Sequence, residues 1–149
     1  MQNLSLRPRC GLKKGFIPFV PFLLLWAGCV HLIANYDVVT YKGLTDLKAE
    51  TMLFLENIDG GKPYSEYAGK FEDLQLQIEK VYEYEKGKRL NDDTIAQVGE
   101  VRAMLQEMIK RYQEQNQLNS IYLQEKKQQL EAAFDLTITT ENLKLKRNN

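Results

Sequence analysis

Few side chains in this 149-residue chain are placed to do chemistry, and the best placed is Cys29. Ala27 and Gly28 precede it directly. Small residues there let the chain lie extended in a narrow processing cleft, and the thiol just beyond them is a nucleophile once ionised. The remaining candidates are weaker. Two cysteines, Cys10 and Cys29, cannot build a disulfide framework or a four-cysteine zinc site. The single histidine, His31, cannot supply the paired Glu-x-x-His motifs of a di-iron bundle. Carboxylates fall at helical spacing or side by side at Glu79 with Glu83 and at Asp92 with Asp93, a pattern that reads as a solvated helix face or a cap. Beyond Cys29 the serines are Ser65 and Ser120, both at expected helix starts and without a histidine placed to act as base. Gly60-Gly61 runs into Lys62-Pro63 rather than a phosphate loop. These residues do not point to an enzyme, and no cofactor or metal is expected.

Charge separates the chain at the same cysteine. Of the 20 Lys+Arg, four (Arg7, Arg9, Lys13, Lys14) lie before Cys29, where there is no acid; the 16 that remain face all 20 acids, a formal charge of −4. A basic stretch followed by the apolar run Phe16 to Gly28 has the layout of an export signal. With Leu25, Trp26, Ala27, Gly28 and Cys29 in sequence, residues 1–28 resemble the signal peptide of a bacterial lipoprotein, whose lipobox ends in the cysteine that is acylated. Trp26 stands where that pattern has Leu. The resemblance implies cleavage before Cys29, a covalent lipid on its thiol, and a mature chain held on a membrane by its acyl groups. Val30 follows in place of the Asp that retains such proteins in the inner membrane, so the resemblance further implies the outer membrane, facing the periplasm.

An uncleaved single-pass anchor is the alternative. The apolar run extends through Val30, Leu32, Ile33 and Ala34, about 19 residues from Phe16 and enough for a hydrocarbon core of about 30 Å. Pro18, Pro21 and His31 stand against it. In both cases Lys13 and Lys14 stay cytoplasmic and the body lies outside the cytoplasm.

Past a lipidated tether (residues 29–40), the expected fold of residues 41–149 is all-α, an up-down antiparallel bundle of about four helices. Leu44, Leu47, Thr51, Phe54 and Ile58 repeat at steps of 3 and 4, as do Tyr67, Phe71, Leu74, Ile78 and Val81, and again Val98, Val101, Leu105, Met108 and Tyr112. The fourth stripe, Leu123, Leu130, Phe134 and Ile138, is the least regular, and the run Thr137 to Thr140 is poor in helix formers. Candidate N-caps are Asp37 or Thr40, Ser65, Asp93 with a capping box from Thr94 to Gln97, and Asn119 or Ser120. Gly60-Gly61, Gly87 and the Gln/Asn-rich stretch at 113–120 separate the helices. Short links force antiparallel neighbours. The runner-up is a helical hairpin that buries its stripes only in an oligomer.

Up-down topology brings the ends of the second and fourth helices to one pole. Lys86, Lys88 and Arg89 would meet Lys144, Lys146 and Arg147 there, and Tyr82 and Tyr84 flank the second stripe. These eight residues are the expected interaction surface, for an acidic envelope protein or anionic headgroups. Nucleic acid is not an expected partner of an exported body of charge −4. A looser resemblance, to short helical lipoproteins of Gram-negative bacteria, rests on Tyr36-Asp37, Thr40, Asn91, Thr94, Phe134-Asp135 and Glu141. Together these readings favour a non-catalytic, membrane-tethered module of the cell envelope that binds a protein partner. A chaperone-like or apolar-ligand-holding bundle is the alternative, disfavoured because few apolar residues lie outside the four stripes.

Overall fold

The computed structural model describes residues 33–147, with only the backbone of residue 147. They form four α-helices: α1 (Val38–Asn57), α2 (Ala68–Lys86), α3 (Asp92–Gln115) and α4 (Ser120–Arg147). Successive helices pack side by side, and α4 closes on α1. The expected all-α up-down bundle is therefore what the chain adopts, with no strand among the described residues. No helix among them is long and apolar enough to cross a membrane.

Local chemistry sets most of the helix ends. The Asp37 carboxylate accepts from the Val39 amide at 2.8 Å and caps α1, which starts at Val38, so the last three residues of the expected tether are helical. Asn119 caps α4 by accepting from the Ile121 amide at 2.7 Å. Two expected caps are absent. Ser65 lies in a short 3-10 turn, Tyr64–Glu66, and Tyr67 precedes α2 without a side-chain cap bond. Asp93 and Thr94 lie inside α3 rather than ahead of it: Asp92 and Asp93 occupy its first turn, where negative charge suits the helix dipole, and Thr94 is buried. Asn116, at φ 55°, ends α3 in a left-handed conformation that Asn tolerates better than most residues.

Most of the first three stripes is core, while Phe54, Ile58, Tyr67 and Val81 pack against it only partly buried and Leu55, off the expected stripe, is buried. Leu44, Leu47, Phe71, Leu74, Ile78, Val98, Val101, Leu105, Met108 and Tyr112 are essentially inaccessible to solvent. From α4 come Leu123, Leu130 and Phe134, with Ile138 partly buried. One pole is aromatic: the Phe71 ring lies 4.9, 5.8 and 5.8 Å from those of Phe54, Tyr64 and Tyr112. At this pole the α1–α2 and α3–α4 links dock on each other, with the Leu118 amide donating to the Gly60 carbonyl at 2.8 Å. The opposite pole is filled with polar side chains.

Candidate functional site

The polar pole collects the start of α1, the end of α2, the start of α3 and the last turns of α4. Glu85, Asn91, Thr94, Glu141, Lys144 and Thr40 are all buried there. Buried ionised groups are costly unless every one is paired and hydrogen-bonded. Here each is.

Glu85 is the centre of one half. One of its oxygens accepts from the Thr40 hydroxyl at 2.5 Å and the Lys88 ammonium at 2.9 Å, and the other from the Asn91 amide nitrogen at 2.7 Å. Lys144 is the centre of the other half. Its ammonium donates to Asn91 Oδ1 and Thr94 Oγ1, both at 2.8 Å, and to Glu141 Oε2 at 2.6 Å. The second Glu141 oxygen accepts from the backbone amide of Asp37 at 2.7 Å. The circuit closes at Asp37, whose carboxylate accepts from Tyr84 Oη and pairs with Lys88, each at 2.8 Å. Lys88 also bonds Thr40 and lies 4.4 Å from the centre of the Tyr84 ring. Residues from all four helices and the α2–α3 link are thus joined in one ring of hydrogen bonds.

The ring shifts three of its titratable groups, Asp37, Lys88 and Tyr84. Burial pushes the Asp37 carboxyl up, but the bonds from Lys88, Tyr84 and the Val39 amide outweigh that and hold it at about 2, against an ordinary 3.8. Lys88 is shifted up: burial works against its charge, and the bonds to Asp37 and Glu85 more than offset it. The bond to Asp37 likewise raises the Tyr84 phenol. Each ammonium has all three hydrogens engaged, that of Lys88 by Asp37, Glu85 and Thr40 and that of Lys144 by Asn91, Thr94 and Glu141. The arrangement ties the four helices together at this pole. Among the described residues no group of three or more His, Cys, Asp or Glu could hold a metal ion.

The expected interaction surface is divided by this arrangement. Lys144 points inward and is buried, and Lys88 is mostly covered, so neither adds to a basic face. Burial is the physical reason: both ammoniums are needed to balance Glu85 and Glu141. Lys86 is exposed but paired with Glu83 at 2.8 Å, and Arg89 and Lys146 are exposed. Tyr84 is exposed, with its hydroxyl committed to Asp37. Tyr82 is half-buried on the α2–α3 flank, its ring 4.9 Å from the Arg102 guanidinium and 5.4 Å from the Lys86 ammonium. Of Arg147 only the helical backbone is described, and Leu25, Trp26, Ala27, Gly28 and Cys29 lie outside the described residues.

Sequence reasoning did not single out Glu85 or the inward role of Lys144, although a signal exists. Thr40, Glu85, Thr94 and Glu141 continue the 3- and 4-residue spacing of their helices' apolar stripes. Five positions of the looser lipoprotein resemblance, Asp37, Thr40, Asn91, Thr94 and Glu141, converge in the ring, whereas Asp135 pairs with Lys48 on the flank at 2.6 Å. An open groove of about 960 Å³ lies beside the ring, between the segment entering α1 and the α2–α3 corner, with Tyr36, Val38, Lys88 and Leu90 in its wall. No protein-family model, no curated protein and no solved structure matches the chain.

Proposed function

We propose that this chain is a lipid-anchored protein of the bacterial cell envelope whose helical body is a non-catalytic interaction module facing the periplasm. The observation that carries this reading is the Leu25-Trp26-Ala27-Gly28-Cys29 sequence, with a basic, acid-free leader before it and an acidic body after it. The body is consistent with a module that holds a shape: its ionised interior groups are fully paired, and its entering segment is bonded to the pole from which a tether would extend. Two acyl signals or more give stable membrane attachment where one gives only marginal binding. Cys29→Ala should abolish palmitate labelling and release the body from the membrane fraction. Labelling that persists in this variant overturns the proposal.

The partner surface we put forward is the α2–α3 flank, where the Tyr82 ring lies beside the Lys86 ammonium and the Arg102 guanidinium. A large ring with a polar tip and adjoining cations is the kind of patch that anchors protein interfaces. Photo-crosslinkers at Tyr82 and Lys86 should capture one envelope protein, and a crosslinker at Leu53, on the outer face of α1, should not. Equal capture from all three positions would remove this assignment.

A further inference from the structure

Large apolar side chains that remain exposed are unevenly placed. Leu53, Leu76, Ile121 and Leu136 are spread along the helices, but Val38, Val39, Tyr84, Leu90, Leu143 and Leu145 all belong to the pole where the chain enters α1. Single exposed apolar residues need no explanation, whereas a group of them does. Val38 and Leu90 share the wall of the groove beside the ring. Leu143 and Leu145 flank Lys144, whose ammonium reaches Asn91 and Thr94 on the same pole.

Leu90 adds a second observation. Its φ of 60° is left-handed, a conformation that brings a Cβ close to the following carbonyl oxygen and is unfavourable for leucine. Asn or Gly would occupy the turn more cheaply, and the leucine recovers little by burial, since half of it is exposed. Charge does not explain the pole: Lys88 and Lys144 face inward, Lys86 is matched by Glu83, and exposed Arg89 and Lys146 are accompanied by exposed Asp92 and Asp93.

We infer that this apolar rim seats the bundle end-on in the headgroup–acyl boundary of a lipid bilayer. The inference rests on the lipid-anchor reading above and adds how the body sits. Chain outside the described residues joins the body at this pole, and Cys29 is eight residues ahead of Asp37. Eight extended residues reach at most about 28 Å. A lipid on Cys29 therefore keeps the rim close to the bilayer, at the high effective concentration that makes a weak contact populated. Seating is apolar, so it requires no anionic lipid.

The test uses the mature acylated protein in phosphatidylcholine vesicles, made from a Trp26→Phe precursor so that any uncleaved chain adds no tryptophan of its own, and its palmitate labelling is checked first. Single tryptophans are placed by Leu90→Trp, by Leu145→Trp and, at the opposite pole, by Gln117→Trp. Bromine on the acyl chains quenches only at contact range. Quenching at positions 90 and 145 should exceed that at 117 by at least threefold, and Leu90→Asn, which suits the left-handed turn, should lower quenching at 145 by about twofold. Equal quenching at the two poles overturns the inference. So does absence of quenching with crosslinking between copies from position 90, which would mean that a second chain covers the rim. Pole-selective quenching of membrane-bound protein that carries no palmitate would keep the seating and overturn the anchor chemistry. Labelled protein without pole selectivity would do the reverse.

Discussion

Lys144 has a long apolar stem and three donors, and in this bundle all of it is used inside. Its ammonium is the bond between α3, through Thr94, and α4, through Glu141. Removing one member of a buried pair costs more than removing both, because the remaining charge keeps its desolvation penalty and loses its partner. Lys144→Met should therefore destabilise the protein by about 3–5 kcal/mol in urea unfolding. Glu141→Gln combined with Lys144→Met leaves an acceptor for the Asp37 amide and no unpaired charge, and should recover most of that loss. A double variant no more stable than the single one would show that the pair itself, not the stranded carboxylate, sets the cost. The ring also fixes helix register. Sliding α4 by one turn, about 5.4 Å, would carry Glu141 and Lys144 away from Asp37, Asn91 and Thr94.

At the scale of elements, the links are as specific as the helices. A Cβ on Gly60 would lie 2.2 Å from the Leu118 carbonyl oxygen and 2.7 Å from Leu123 Cδ1, inside the contact that docks the two links at the aromatic pole. Gly60→Ala should destabilise by about 1–3 kcal/mol, and Gly69→Ala, with nothing near its Cβ, should be neutral or stabilising. Thermal unfolding of the two variants checks this. The helices themselves were legible from sequence where the stripe residues are apolar, as in α3, whose five expected positions are all buried. α4 was harder to read for a reason the structure supplies: Lys126, Thr137, Glu141 and Lys144 occupy its inward face, so the periodicity is present but written in polar residues. Thr137 lies in the β-branched run, yet the helix continues through it, with its hydroxyl donating to the Ala133 carbonyl at 2.8 Å. Tertiary packing overrides propensity there. The same substitution of polar for apolar hid the ring. Hydropathy marks Glu85 and Lys144 as surface, and only knowing which pole α2 and α4 share reveals that they face inward.

For the whole molecule, Asp37 makes stability depend on acid. The folded Asp37 carboxyl is held at about 2 and its ordinary value is 3.8, so the folded state binds this proton less tightly than the unfolded chain. Its contribution is complete above about pH 4 to 5 and is lost as pH falls through about 2. Asp37→Asn should thus be less stable than the parent near neutrality, with the gap closing toward about pH 2. Urea unfolding of both proteins across that range measures it, and a gap constant with pH would mean that the carboxylate is not held in the ring. The pole where the chain enters has a mechanical aspect too. Tension applied to the chain ahead of Ile33 meets the Ala34–Leu90 backbone bond at 2.7 Å and then the Asp37–Glu141 bond before it reaches the first turn of α1. The load is handed to the α2–α3 corner and to the end of α4, so a pull on the tether strains these two other parts of the bundle instead of peeling one helix from its end.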